Sequence, residues 1–291
     1  MTGADRPWAY SAFAVEVAAT RWLSPRFVRI TLRGEALADF APWGLDQRIK
    51  VVLPMARFAE NRGLADFGLL EEPTPHPSDW YARWKALDED ARNVLRTYTP
   101  SAIRADRREI DVDFFLHEPA GPASAWAASA RAGDPLVITG PDARMGWTGY
   151  GIHWTPGDAR RFLLVGDETA FPAIRSIVAS LPAGARAHVI AGVGDAADDV
   201  LTGTLPPGVT AARVRHVEGD DALLGAVREW MRGQGPERGR APTEDSGLAV
   251  WLAGESGVVT GIRRHLVHEA GVPKERVSFL GYWRRGGALV G

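Results

Sequence analysis

The chain contains no cysteine among its 291 residues. This absence excludes disulfides, cysteine-ligated zinc, a thiol nucleophile and an iron–sulfur cluster held by cysteines. Lysine is nearly absent as well: Lys50, Lys85 and Lys274 are the only three, so arginine supplies almost all of the positive charge. A GC-rich genome explains this bias more simply than a functional need for arginine, although arginine suits phosphate and carboxylate partners wherever it occurs.

The sequence shows neither the pattern expected of a signal peptide nor a long hydrophobic run. The first ten residues, MTGADRPWAY, lack the basic start and apolar stretch of a signal peptide. No segment approaches the roughly 20 apolar residues that a membrane span needs. The formal net charge of −2 leaves no basic excess for neutralising nucleic-acid phosphates. We therefore expect a cytoplasmic monomer that binds neither nucleic acid nor membrane and holds no metal of its own.

The first half of the chain is rich in short strands. Alternating β-branched segments between turn-forming residues predict six strands, over 13–20, 27–32, 48–53, 94–99, 110–116 and 135–139. Helices are predicted over 79–92 and 123–131. Six short strands in succession favour an antiparallel barrel. The proline-containing segment 54–77 is predicted to be a long loop, functional or mobile, whose role the sequence does not reveal.

The second half has a different character. Strands predicted over 162–165, 187–191, 212–217 and 249–252 alternate with helices over 170–181, 222–231 and 258–269. This alternation indicates parallel βαβ units. A polar surface loop is predicted over 232–247, and the glycine- and aromatic-rich segment 140–158 is predicted to link the halves. We therefore predict an α+β, α/β two-domain chain: a six-stranded barrel over residues 1–150 and a small parallel-sheet domain over 158–291.

The sequence Arg96-Thr97-Tyr98-Thr99 ends a predicted strand. Arginine can bind a pyrophosphate, tyrosine can stack on an isoalloxazine ring, and threonine offers a small hydroxyl near the flavin N5. These types in one short strand fit a flavin site. A half-buried strand with Tyr98 in the core explains the same residues equally simply.

A strand, a tight turn and a helix follow. The strand delivers His117 near its end, Gly121 and Pro122 begin the helix, and Ser124 can donate to an anion. Free N–H groups at such a helix start form a natural pyrophosphate cradle. An ordinary structural strand–turn–helix has the same pattern.

Two further motifs belong to the second half. Gly166-Asp167-Glu168-Thr169 is a first βα turn without the G-x-G-x-x-G fingerprint, and Thr169 is expected to cap the helix that follows. The acidic pair positions a nicotinamide or simply caps that helix. Gly254 in Ala-Gly-Glu permits a close backbone approach. The terminal Gly-Tyr-Trp-Arg-Arg-Gly run is otherwise a closing edge strand with a solvated basic end.

Six motifs follow one another between residues 96 and 286: RTYT, DVDFFLH, GPASAWA, GDETAFPAI, AGE and GYWRRG. In this order they resemble the siderophore-interacting protein family, the FAD-containing ferric-siderophore reductases of the ferredoxin-NADP reductase-like superfamily, and the resemblance covers most of the chain, from about residue 12 to 286. The resemblance implies an FAD-binding barrel joined to an NAD(P)H-binding-like α/β domain, with the flavin between them.

The resemblance also implies roles for particular residues. Tyr98 and Thr99 would lie at the flavin ring, with no side chain acting as acid or base. The implied cofactor contacts are Arg96, Tyr98, Thr99, Asp113, Phe115, His117, Gly121, Ala123, Ser124, Thr169, Ala170, Tyr282 and Trp283. The last four would face the nicotinamide side or close over the ring. The chain departs from the family pattern after RTYT, after the Leu-His pair and before the Lys50 strand, which puts the detailed phosphate contacts in doubt.

The implied reaction passes electrons from NADH or NADPH through FAD to a ferric siderophore and releases Fe(II) in the cytoplasm. Siderophore oxygens hold Fe(III) far more tightly than Fe(II), so reduction frees the metal. Candidate residues for attracting an anionic chelate are Arg48, Lys50, Arg284 and Arg285. The acidic loop 194–199 slightly favours NADH over NADPH, because acid there suits a ribose diol.

Several alternatives stay open. A ferredoxin could replace the nicotinamide donor, and the sequence does not reveal the siderophore class. A general NAD(P)H-dependent flavin reductase or an oxygenase-partner reductase would share the fold. A non-enzymatic siderophore- or haem-binding protein would carry no flavin.

Overall fold

The computed structural model describes residues 9–217, 221–233 and 247–286. The chain divides into two units, with the boundary between Ile152 and His153. Most of the predicted loop 232–247 and the outer ends of both predicted domains lie outside the described residues. Within those residues, no helix combines the length and apolar character needed to cross a bilayer.

The first unit is built on one antiparallel sheet of seven strands. In chain order they are β1 (Tyr10–Trp22), β2 (Phe27–Arg33), β3 (Ile49–Val52), β4 (Leu95–Tyr98), β5 (Pro100–Arg104), β6 (Glu109–Phe115) and β7 (Pro135–Pro141). Across the sheet the order is β4-β3-β7-β1-β2-β6-β5. The two edge strands, β4 and β5, are separated in the chain by Thr99 alone. The sheet therefore curls until its edges approach each other, which makes it a half-barrel.

The predicted number of six strands is wrong, because β5 was missed. A proline directly after Arg-Thr-Tyr-Thr indicated the end of a strand. Pro100 is tolerated here because β5 lies at an edge of the sheet and pairs on one side only, with β6. The register between them shifts after Pro100, where Val112 faces Pro100 and Asp111 faces Ala102.

Strict alternation along the strands builds the core of this unit. Apolar side chains at alternate positions of β1 as far as Val17, of β2 and of β6 are buried, so these strands present one face to a common interior. The inward side chains are Phe13, Val15, Val17, Val28, Ile30, Leu32, Ile110, Val112 and Phe114. Burying each contributes about 1.5–3 kcal/mol. Helix α2 (Pro122–Ser129) covers this core with Ala123 and Ala127.

The segment predicted as a long loop folds into a second apolar cluster. It forms a short 3₁₀ turn, Ala56–Asn61, and then packs side chains such as Phe67 against Trp80 and Trp84 of helix α1 (Pro77–Ala86). Helix α1 ends at Ala86 and not at residue 92 as predicted. The run Asp88-Glu89-Asp90 beyond it is unfavourable at the negative end of a helix.

The second unit is a parallel sheet with helices between its strands. Its strands are β8 (Arg161–Gly166), β9 (Arg186–Val193), β10 (Val209–Arg215), β11 (Leu248–Glu255) and β12 (Val277–Trp283), in the order β10-β9-β8-β11-β12. The helices are α3 (Phe171–Ala179), α4 (Ala222–Gly233) and α5 (Ser256–Arg264), and α5 continues into a π-helical turn, His265–Glu269. The strand order reverses at β8, which has β9 on one side and β11 on the other. Ligands of such sheets bind at the carboxyl ends of the strands around this switch point.

Candidate functional site

Arg96 and Tyr98 lie on the inner face of β4. They pair in register with Val51 and Ile49 of β3, both of which are buried in the core. The Tyr98 ring packs against Phe114, with ring centroids 4.4 Å apart. Burial raises the pKa of the Tyr98 hydroxyl above its ordinary value. Tyr98 is nevertheless only half-buried, so it belongs to the core and still offers a surface.

A chain of aromatic rings joins this motif to helix α2. Phe114 on β6 contacts both Tyr98 and Trp126 of the helix, and the Phe114 and Trp126 centroids lie 5.6 Å apart. The fold therefore brings the Arg-Thr-Tyr-Thr strand and the Gly-Pro-Ala-Ser helix, which lie far apart in sequence, to the same end of the inner face.

The start of α2 is open. Gly121 precedes the helix in an extended conformation, and a Cβ placed on it would meet no atom within 4 Å. The hydroxyl of Ser124 accepts from the His117 N–H at 3.1 Å, which fixes the turn between β6 and the helix. The N–H groups of Ala123 and Ser124 meet no acceptor in the described part of the chain. Such a start, with no side-chain cap and no acidic residue in its first turn, fits a pyrophosphate.

Asp113 and Phe115 lie on the other face of β6. Arg29 of β2 holds the Asp113 carboxylate with two hydrogen bonds of 2.6 and 2.8 Å, and Ser101 of β5 donates to it at 3.0 Å. Phe115 packs between Phe27 and His117. The hydrogen bonds of the Asp113 carboxylate therefore join three strands, β2, β5 and β6. Contact of Asp113, Phe115 or His117 with a cofactor stays a prediction.

Arg48 and Lys50 share the outer face of this sheet. Lys50 lies in register with Thr97 of β4 and Thr139 of β7. Burial, with a smaller contribution from the charge of Arg48, lowers the pKa of Lys50 from 10.5 to about 8. The Arg48 N–H donates to the Gly151 carbonyl at 3.0 Å, which places Arg48 beside the segment that carries Tyr150. The neighbouring aromatic residue Tyr150 was missed in the sequence, although it lies in the aromatic-rich segment 140–158.

In the second unit, the Asp167 carboxylate joins three of the sequence motifs. One oxygen accepts from the backbone N–H and the hydroxyl of Thr169. The other accepts from the Glu255 N–H at 3.0 Å and the Trp283 indole at 2.9 Å. Burial raises the pKa of Asp167 against these hydrogen bonds. Gly254 makes room for the carboxylate, since a Cβ there would lie 2.4 Å from its oxygen.

Glu168 is buried next to it. Its carboxylate accepts from the Gly194 N–H at 2.7 Å and lies 3.2 Å from Nε2 of His216. Burial alone would raise the pKa of Glu168, but the hydrogen bonds from His216, Gly194 and its own N–H outweigh burial and hold the pKa below its ordinary value. Of the two sequence interpretations, capping is what the structure shows for Asp167. Thr169 does not cap α3; it lies inside the turn that Asp167 caps.

The end of β12 is held in place by the same group of residues. In addition to the indole bond, the Trp283 carbonyl accepts from the Ser256 hydroxyl at 3.0 Å, and the Arg285 N–H donates to Glu255 at 3.2 Å. Tyr282 contacts the buried Trp251 edge-on. The side chains of Arg284 and Arg285 are exposed. Trp283, Thr169 and Ala170 are therefore neighbours through Asp167.

The acidic loop after β9 has local partners. Asp195 caps the short turn that follows it by accepting from the Ala197 N–H. Asp199 accepts from the Thr202 N–H and hydroxyl and lies 3.7 Å from Arg213. These acids stabilise the loop, and the small preference for NADH that the sequence suggested stays a prediction.

Family models match both units. Residues 16–145 match the siderophore-interacting FAD-binding domain, and residues 159–286 match the siderophore-interacting protein model. The chain belongs to the siderophore-interacting protein family. Its first unit is therefore the family's FAD-binding domain, as the resemblance implied.

Relatives match over nearly the whole length. An uncharacterised protein of Mycobacterium tuberculosis is 34% identical over 289 residues, which cover 94% of this chain and 90% of that protein. The ferric vibriobactin reductase of Vibrio cholerae is 27% identical over 91% of this chain and 87% of its own. The NADPH-dependent ferric-chelate reductase of Escherichia coli is 27% identical over 90% and 88%.

Solved structures show the same two-part fold. The siderophore-interacting protein SipS from Aeromonas hydrophila superimposes with a TM-score of 0.68 at 30% identity, covering 95% of this chain and 93% of that one. The ferredoxin reductase in carbazole 1,9a-dioxygenase, at 15% identity, superimposes with a TM-score of 0.63 over 95% and 71%. A curled antiparallel sheet followed by a five-stranded parallel sheet is thus the ferredoxin reductase-like fold, which confirms the predicted architecture apart from the strand count.

Proposed function

We propose that the protein is an FAD-dependent ferric-siderophore reductase that takes electrons from NADH or NADPH and releases Fe(II). The observation that carries the proposal is the link from Tyr98 through Phe114 and Trp126 to the open start of α2. It gives one face of an FAD-binding family domain both an aromatic surface and an anion cradle. The names of the Vibrio cholerae and Escherichia coli relatives support the acceptor class.

The residues of the first unit fit FAD. The Arg96 guanidinium and the N–H groups of Ala123 and Ser124 would hold the pyrophosphate, because all are hydrogen-bond donors and the first turn of α2 contains no acidic residue. Tyr98 and Thr99 would meet the ring. Bound FAD supplies the conversion of a two-electron donor into single-electron steps. In the second unit, Thr169, Ala170, Tyr282 and Trp283 are proposed to face the donor's nicotinamide.

The chelate would be attracted by charge. Arg48 and Lys50 place two like charges on one half-buried face, an arrangement that an anion relieves. The exposed Arg284 and Arg285 are proposed to add to this attraction. Reduction weakens the hold of hard oxygen ligands on the metal, so the protein needs no acid or base to release it. The task of the protein is to bind and orient FAD and to attract the ferric chelate.

The test is anaerobic spectroscopy of the purified protein. We expect a yellow protein that is bleached by NADH or NADPH and reoxidised by a ferric siderophore, with Fe(II) trapped by ferrozine. Protein that neither contains nor binds FAD would overturn the proposal. A general flavin reductase would instead reduce free flavins faster than the ferric chelate, and a siderophore-binding protein would show no turnover.

A matched pair of variants tests the cofactor site. Arg96→Met should weaken FAD binding about 10- to 100-fold, the usual contribution of a hydrogen bond to a charged group. Arg33→Met, on the exposed side of the same unit and paired only with Glu16 among the described residues, should bind FAD as the wild type does. FAD affinity would be measured by titrating the apoprotein. Equal affinities in the two variants would remove Arg96 from the site.

A further inference from the structure

The carboxyl ends of β8, β9 and β11 form the edge at which a sheet of this topology normally holds a dinucleotide's pyrophosphate. In this chain the N–H groups of that edge already donate to carboxyl or carbonyl oxygens of the chain itself. We infer that Asp167 and Glu168 occupy the place of the pyrophosphate, so the second unit recognises its electron donor without binding the donor's ADP half at the first βα turn. The inference rests on the proposed function only in assuming a dihydronicotinamide donor.

The first βα turn offers no N–H to an external phosphate over five consecutive positions. Glu168 donates to its own carboxylate, Thr169 to the Asp167 carboxylate, and Ala170 to the Asp167 carbonyl. Phe171 donates to the Glu168 carbonyl, and Pro172 has no N–H. A phosphate cradle needs several free donors that point the same way. In this turn each backbone N–H from Glu168 to Phe171 already donates to an acceptor of the chain.

The strands on either side repeat the pattern. At the end of β11, the Glu255 N–H donates to Asp167, and at the end of β9, the Gly194 N–H donates to Glu168. One carboxylate therefore serves β8 and β11, and the other serves β8 and β9. The edge is closed on both sides of the switch point by carboxyl oxygens of the chain, and one of the two groups, Glu168, is held ionised.

Geometry and charge both oppose a pyrophosphate here. Each carboxylate is nearly fully buried, so water screens its field poorly. Glu168 is held ionised by His216 and two backbone donors. The φ of +142° at Gly254, and the room that its missing Cβ leaves, are used by Asp167 and not by a ligand. The indole of Trp283 is fixed by the same carboxylate. The edge thus presents an aromatic ring in place of a phosphate cradle.

The first test compares donors with and without the ADP half. FAD-loaded protein would be mixed anaerobically with NADH, NADPH or reduced nicotinamide mononucleotide, and the second-order rate constant of flavin bleaching measured. We expect the mononucleotide to fall within about tenfold of NADH. Two hydrogen bonds to a bound pyrophosphate would make NADH at least about 100-fold better, and a ratio of that size would overturn the inference.

The second test does not depend on flavin reduction. ADP-ribose would be titrated into the FAD-loaded protein by calorimetry, and we expect no saturation below about 5 mM, the range of very weak binding. A dissociation constant below about 0.1 mM would overturn the inference. If no dihydronicotinamide bleaches the flavin, the donor part of the proposed function fails, while the ADP-ribose titration still decides the inference.

A substitution of Glu168 tests the effect of its negative charge separately from the effect of its hydrogen bond. Glu168→Gln retains an acceptor for Gly194 but removes the negative charge, so the preference for NADH over the mononucleotide should rise about three- to tenfold. Glu275→Gln, an exposed carboxylate on the same unit, is the matched control and should leave the ratio unchanged. A Glu168→Gln ratio equal to that of the control would count against the electrostatic part of the inference.

Discussion

Replacing Gly254 by alanine tests the arrangement around Asp167 most directly. Gly254 has a φ of +142°, which side chains rarely adopt, and its Cβ would lie 2.4 Å from one Asp167 oxygen and 2.8 Å from the carboxyl carbon. The carboxylate cannot stay in place. It must leave the Glu255 N–H and the Trp283 indole, which are bonded to the oxygen that clashes.

The size of the effect follows from these contacts. Backbone strain of this kind costs about 1–3 kcal/mol. Each hydrogen bond lost to a charged group adds about 1.5–3 kcal/mol. Allowing for relaxation, Gly254→Ala should lower the free energy of unfolding of the second unit by about 4 kcal/mol. Gly261 is the matched control, because it lies inside α5 and a Cβ added to it would meet no atom within 4 Å. Gly261→Ala should raise that free energy by about 0.5–1 kcal/mol.

The assay is urea denaturation of FAD-loaded protein, followed by circular dichroism and by hydrogen exchange of peptides from β11 and β12. Exchange assigns the loss to the second unit, because two units need not unfold in one step. Opposite signs for the two alanine variants are expected. A loss below about 1 kcal/mol for Gly254→Ala would refute the reasoning, since neither the strain nor the displaced carboxylate would then have its expected cost.

Two residues of the first unit, Lys50 and Asp113, give further predictions. The pKa of Lys50 is about 8, so the KM for an anionic ferric chelate should rise as the pH passes upward through about 8, and Lys50→Met should abolish this pH dependence. Because folding lowers the pKa of Lys50, the unfolded chain holds one more proton than the folded chain between about pH 8 and 10.5. The free energy of unfolding of the wild type should therefore rise with pH across that window, and the free energy of unfolding of Lys50→Met should not. Asp113→Ala should cost about 2–4 kcal/mol in urea denaturation, because it leaves the partly buried Arg29 without its bidentate partner. Glu16→Ala, at an exposed ion pair, is the control and should cost less than about 1 kcal/mol; equal losses would contradict the structural role of Asp113.

Strand positions in this chain could be predicted from local pattern, but the closure of the sheet could not. Alternation marks β1, β2 and β6 because alternate apolar side chains of each are buried in the same core. β5 was not predicted because Pro100 stands where a strand was expected to end. The position of β5 in the sheet is set by its pairing with β6 at an edge. The fold of segment 54–77 was not predicted for a related reason. Its apolar side chains have no regular period, and their partners lie on α1.

The candidate site was predictable as a set of residue types but not as a set of contacts. Asp167 was identified as part of a βα turn, and its use as a cap was one of two interpretations. Its bonds to Glu255 and Trp283 join residues 88 and 116 positions away, which no local pattern encodes. The signals that could have revealed them were present, however: a first βα turn with two carboxylates in place of glycines, and a lone glycine directly before Glu255.

The two helix starts of this chain form an internal comparison. Both α2 and α3 follow a strand through a short turn and carry proline in the first turn. Before α2 stands Gly121, with open space in front of it and free N–H groups behind it. Before α3 stand Asp167 and Glu168, whose carboxylates take the donors of their own turn and of the neighbouring strands. The same local architecture is thus left open to an anion in one unit and closed by the chain's own carboxyl groups in the other. A protein built this way should retain FAD through gel filtration and exchange its electron donor rapidly, which suits a resident cofactor and a transient reductant.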